Sequence, residues 1–155
     1  MKEIERIKDQ IERTFTGDAW HGPALLETLA GVTAEKAILR PAGNSHNIWE
    51  IVLHIEIWEE AIRRRIIGDP MTVSDEEDWR TISDTSESAW RDTLNVLEKT
   101  HRKLLDAVSQ LSEAALDHTV KSQAGIEHSL YVSLHGAIHH LLYHTGQIAL
   151  LKKLV

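Results

Sequence analysis

At 155 residues, 42% of them hydrophobic, the chain suits one domain spanning residues 1–155 around a core of ordinary size. Its 24 acidic residues outnumber 17 basic ones for a formal net charge of -7, which disfavours a nucleic-acid partner, since a phosphate backbone asks for a basic face. The absence of cysteine excludes disulfides, thiolate ligands and a cysteine nucleophile, so a metal site would rest on His, Asp and Glu.

The amino terminus, MKEIERIKDQIERTF, is charged throughout and lacks the apolar run of a signal peptide. No stretch approaches the roughly 18 apolar residues of a membrane span, so a soluble, cytoplasmic protein with no membrane partner is expected. Ile4, Ile7, Ile11 and Phe15 make a helical stripe over residues 3–15. Gly17 and Asp18 interrupt it, and Pro23 suits the first turn of a further helical piece, ALLETLA. Gly31, Pro41, Gly43 and Asn44 mark residues 31–47 as a connection, within which TAEKAIL makes a turn of helix. From Ile48 to Ile67 the helical spacing returns through Ile51, Val52, Ile55, Trp58, Ile62 and Ile66, with Ser45 or Asn47 as the cap. Residues 71–87, acidic and rich in Ser and Thr, read as a long surface crossover, long enough to let the flanking helices run parallel or to span the top of a bundle. Trp90, Leu94, Leu97, His101, Leu104 and Val108 mark a third long helix over residues 86–110, before a loop through residues 117–127. With the last helix, around Leu134 to Leu151, the pattern is all-α, and a four-helix bundle with one long crossover connection buries its stripes.

That last helix holds four of the ten histidines, as two HxxxH pairs, His135 with His139 and His140 with His144. At about 100° per residue, Leu130, Leu134, Ala137, Leu141, Ile148 and Leu151 form its apolar face. His140 and His144 fall on the shoulder of that face, whereas His135 and His139 point away. Two histidines one turn apart are half a zinc site, and a third ligand must come from another helix. His54, at the border of the apolar face of the helix over 48–67, is the best placed, and His101 is the runner-up. A packed or hydrogen-bonded imidazole is the plainer account of any one of them.

HNIWEIVLHIEIWEEAI at residues 46–62 together with HHLLYHTGQIALLKK at 139–153 closely resembles the DinB-like superfamily, also called the DinB/YfiT-like metalloenzymes. The resemblance covers nearly the whole chain and implies a four-helix bundle with a divalent metal held by three histidines, matching His54, His140 and His144 here. It further implies a homodimer and, in some members, a transferase in which the metal activates a low-molecular-weight thiol. Members often carry Arg between the last ligand and Gly-Gln, where this chain has Thr145.

An open three-imidazole site would acidify a bound water or thiol into a nucleophile near neutral pH, with zinc or nickel as the leading ions. The expectation is a metal-dependent transferase or hydrolase acting on a small-molecule substrate, with a possible thiol cosubstrate; a non-catalytic, stress-related metal-binding or interaction module is the alternative. Weaker catalytic candidates are Glu50, one turn before His54 and more readily read as a solvated carboxylate, and Tyr143, which packing of its ring explains as well. Arg65, on the flank of His54, is the candidate anion-binding group. Gln147 could also approach the site, although helix capping explains it as well, and so could the pair Trp20 and His21, although a core Trp at a helix junction is the plainer reading.

Overall fold

The computed structural model describes residues 2–41, 43, 45–121 and 125–155; Ala42 and Asn44 of the first connection and residues 122–124 of the loop after residue 117 lie outside it. Four long helices carry the fold: α1 (Glu3–Thr16), α4 (Ile48–Ile66), α6 (Glu87–Ser109) and α7 (Leu130–Lys152). Short helices α2 (Leu25–Leu29), α3 (Ala34–Ile38) and α5 (Asp75–Asp78) sit in the connections.

Local chemistry starts each long helix. Asn47 Oδ1 accepts from Glu50 N–H at 2.8 Å while the Glu50 carboxylate accepts from Asn47 N–H at 3.2 Å, a reciprocal cap on α4. Ser86 and Ser129 cap α6 and α7 through Ala89 N–H and Val132 N–H, each at 3.2 Å. The first turn of α1 is met from a distance, by Glu113, whose carboxylate accepts from Glu3 N–H and Ile4 N–H at 3.1 and 3.2 Å. The chain leaves α1 through Gly17 at φ 146, left-handed backbone at which an added Cβ would meet the Glu27 carboxyl group at 3.3 Å.

Around the bundle α1 touches α7 and α6, and α4 touches α6 and α7. Helices α4 and α6 run parallel, because Trp49 Nε1 donates to Thr93 and, further along both, Glu56 accepts from Thr100 and Glu59 meets His101. The long crossover makes that direction possible, one of the two arrangements its length allows. Helix α7 runs against α4: His54 lies by His144, and Trp58, one turn later, by His140, one turn earlier.

Two apolar clusters fill the interior. One gathers Phe15, Leu25, Trp49, Ile55, Trp90, Leu97 and Ile148; the other gathers Ile7, Ile11, Ile62, Leu104, Leu134 and Ile138. Where one gives way to the other, α4 and α6 bury a polar layer. Glu56 accepts from Thr100 Oγ1 at 3.0 Å and from Arg80 Nη2 at 2.5 Å, and Glu59 lies 3.0 Å from His101 Nδ1. Buried carboxylates persist only with such partners.

Two expectations for the connections change. Residues 117–127 are not all loop, since Thr119–Lys121 (β1) pairs antiparallel with Glu127–Ser129 (β2); three-residue strands are too short to show alternation. The acidic crossover is not purely surface, because Val73 is buried and Asp78, Trp79 and Arg80 turn into the bundle.

Candidate metal centre

The bundle brings His54 of α4 against His140 and His144 of α7. His140 Nε2 lies 3.0 Å from His54 Nε2 and 3.2 Å from His144 Nε2. Helix periodicity explains the pairing, since residues four apart stack on one face, and the antiparallel approach of α4 supplies the third ring. His54 and His144 are 6% and 5% exposed, and His140 is half-buried.

The outward nitrogens decide what the inward ones can do. His54 Nδ1 lies 2.8 Å from Asp78 Oδ1 and 3.3 Å from the Asp78 carbonyl oxygen, and His144 Nδ1 lies 2.7 Å from Gln147 Oε1. All three partners are acceptors, so they place a proton on each Nδ1 and leave the facing Nε2 with a lone pair. Burial then holds the rings neutral. It pushes His140 down to about 3, with further lowering from His144 and His54, and it lowers His54 and His144 as well.

Two of the converging Nε2 atoms, those of His54 and His144, thus face His140 Nε2 with bare lone pairs, and one imidazole proton on His140 is the most that the trio can place between them, whereas a cation would engage all three. Tetrahedral zinc, with Zn–N bonds of about 2.0–2.1 Å, sets its ligand nitrogens roughly 3.3 Å apart. The spacings of 3.0 and 3.2 Å are close to that edge. The donor set therefore fits a divalent ion of the zinc type, and these histidines, whose ligand atoms lie within 4.8 Å of one another, could hold one.

Aromatic rings and the crossover fix the cluster. Trp58 Nε1 donates to Asp78 Oδ1 at 2.6 Å. Trp79 stacks on His54, with centroids 4.2 Å apart, and on its other side His46 stacks at 3.4 Å. Beside His140 a cavity of about 270 Å³ opens between α4 and α7, walled by Ile55, Trp58, Ile62, Val132 and Leu141, with Arg65 and His128 also on its lining.

The other sequence candidates are placed as follows. Glu50, proposed to orient His54 or act as a base, is engaged elsewhere: it caps α4, pairs with Arg40 and lies 3.2 Å from His46 Nδ1. Asp78 takes the place beside His54. His101 stands apart from the trio, buried, stacked on Phe15 at 3.6 Å and held by Glu59. Tyr143 is 65% exposed, with its ring 5.0 Å from that of His144. Gln147 touches His144, and its amide is the acceptor that fixes that ring. Trp20 is fully exposed and His21 exposed, so Trp20 is not a core residue at the helix junction. His135 and His139 lie together, rings 6.3 Å apart, with His135 against Tyr131 at 4.4 Å and His139 exposed. Thr145 is buried and donates back to the Leu141 carbonyl at 2.8 Å, so this position faces the interior.

Asp78 and Trp79 were not found by sequence reasoning. A Trp inside a stretch otherwise acidic and polar was the one signal, since a large apolar ring in such a stretch needs something to cover it.

An all-α bundle with a histidine trio between its second and last long helices is the class of fold and site that the chain presents. The sequence profile of the DinB superfamily matches residues 19–148, and the chain belongs to that superfamily. A crystal structure of a conserved protein from Enterococcus faecalis shares the fold, with a TM-score of 0.71 at 16% identity, covering 100% of this chain and 98% of that one. Among curated proteins nothing matches the sequence. No helix among the described residues is long and apolar enough to cross a membrane.

Proposed function

We propose that this protein is a metal-dependent enzyme acting on a small molecule, a thiol transferase or a hydrolase, with His54, His140 and His144 as the ligands of a zinc or nickel ion. The convergence of three Nε2 atoms, two of them on rings whose Nδ1 is already engaged by an acceptor, carries the reading. When bound, a divalent ion in such a site supplies Lewis acidity to a water or thiol. The chain's own residues do the rest. Asp78 and Gln147 hold the imidazoles in the ligating tautomer, and Trp79 covers one face of His54. Ile55, Ile62 and Leu141 give the adjoining cavity an apolar wall that limits water beside His140.

A second reading, in which the ion only ties the bundle together, is favoured by the ligands' coming from two different helices, α4 and α7. The cavity against His140 speaks for chemistry instead, because a purely structural zinc site is closed by protein on all sides. Purified untagged protein, reconstituted with zinc or nickel, should turn over at least one ester or thiol-acceptor substrate and lose that turnover on chelation. Stabilisation by metal without turnover of any such substrate would leave the structural role.

A further inference from the structure

The run Arg63-Arg64-Arg65 closes α4, and its members differ in one respect. Arg63 donates to Glu60 at 2.6 and 2.7 Å, and Arg64 to Asp69 at 2.5 and 3.0 Å. Arg65 has no ion pair or hydrogen bond among the described residues, although it is the one of the three on the wall of the cavity. Its guanidinium carbon lies 5.9 Å from the centre of the Trp58 ring, and the ring of His140 is 6.2 Å from the same indole. Side chains on a helix lean toward its amino end, which carries the Arg65 head group back from the last turn of α4 toward Trp58 and the histidines. One indole thus separates the guanidinium from His140.

A half-buried guanidinium loses hydration without gaining a partner, and burial does push Arg65 below its ordinary basicity. Arginine nonetheless stays charged near neutral pH. The carboxylate that also lines this cavity, Glu59, has its oxygens 3.0 and 3.2 Å from His101 Nδ1, toward α6. A second space, of about 410 Å³, also has Arg65 on its lining, together with Met71, Thr72 and Lys121.

We propose that the cavity binds a small molecule with an apolar body and one carboxylate, and that Arg65 is the residue that recognises the carboxylate. The apolar walls of Ile55, Trp58, Ile62 and Leu141 receive the body, and the planar fork of Arg65 matches a carboxylate in two parallel hydrogen bonds. A volume of about 270 Å³ lies at the small end for ligand pockets, which suits a compact monoanion. The inference rests on the proposed metal-site reading only in that the other end of such a ligand then lies against His140.

The test uses 4-phenylbutyrate and its neutral isostere 4-phenylbutyramide, titrated by calorimetry into metal-free and zinc-loaded protein, with metal content measured on the same samples. Phenylbutyrate should bind at least about tenfold more tightly than the amide in both forms. Arg65→Gln should erase that preference while leaving metal content and amide affinity as they were, and Arg65→Lys, which keeps the charge and loses the fork, should fall between. Equal affinity of acid and amide, no binding of either, or a preference that survives Arg65→Gln would overturn the proposal. A protein that takes up no zinc would overturn the metal reading alone, since the comparison in metal-free protein decides the role of Arg65 by itself.

Discussion

Asp78 Oδ1 lies 2.8 Å from His54 Nδ1, and the same oxygen accepts from Trp58 Nε1 at 2.6 Å. One carboxylate, delivered by a four-residue helix in the crossover, thereby sets both the tautomer of His54 and the position of the indole that walls the cavity. Loss of a hydrogen-bond partner behind a metal-ligating histidine costs roughly 10–100-fold in affinity. Asp78→Ala should weaken zinc binding by that factor in a competition titration against a chromophoric chelator. Glu50→Ala, which removes the α4 cap and the contacts to Arg40 and His46, should leave zinc affinity unchanged while lowering the melting temperature.

The stack of Trp79 on His54, centroids 4.2 Å apart, makes that indole a reporter of the site. Adding Ni²⁺ or Cu²⁺ to the metal-free protein should quench part of the tryptophan fluorescence, and Trp79→Phe should remove a large share of the quenchable signal. Quenching of the same amplitude in Trp79→Phe would place the ion elsewhere.

In the metal-free protein the histidine trio should make stability depend on pH. His140 titrates at about 3 when folded, against an ordinary value near 6.5 when unfolded, and His54 and His144 are shifted in the same direction. Below pH 6.5 the unfolded chain therefore binds more protons than the folded one. The stability is fully present above about pH 6.5 and is lost as pH falls toward the folded values, at no more than about 1.4 kcal/mol per pH unit for each ring. Thermal melts of chelator-treated protein should show a falling melting temperature from pH 7 to pH 5, and saturating zinc should flatten that decline at its upper end. A melting temperature that rises on acidification through this window would contradict the burial of neutral imidazoles.

Glu59 and His101 form a buried pair across α4 and α6, and His101 Nε2 has no hydrogen-bond partner among the described residues. Glu59→Ala would strand the other ring nitrogen too and open space beside His101. An unsatisfied buried polar group costs about 1–3 kcal/mol, so urea unfolding should show destabilisation of that order. Zinc affinity should not follow it, because His101 is not among the three converging rings.

The helices and two of the three facing histidines were legible because the signal is local. Ile48 to Ile66 and Leu130 to Lys152 follow a single period, and that period alone puts His140 and His144 inward together. His54 was legible only as a candidate, since which helix lies opposite α7 is a property of packing; the resemblance of residues 46–62 and 139–153 to a known family joined the three. Asp78 and Trp79 were hidden for a different reason. They lie in a segment whose composition says solvent, and their roles arise from a turn that folds back over α4, which no periodicity encodes. Glu50 was the natural guess at one helical turn from His54, but its place at the third position of α4 commits it to the cap. Glu56 and Glu59 are buried for a comparable reason, since their partners come from α6 and from Arg80 rather than from their own helix.

The central claim is that His54, His140 and His144 hold one divalent ion, and metal content measured by mass spectrometry on untagged protein tests it most directly. His140 is decisive, because its Nε2 is the atom that lies against both of the others. Wild-type protein equilibrated with zinc and desalted should retain a single ion per chain, and His140→Ala, folded by circular dichroism, should retain almost none. Undiminished zinc in His140→Ala, or none in the wild type, would contradict the account.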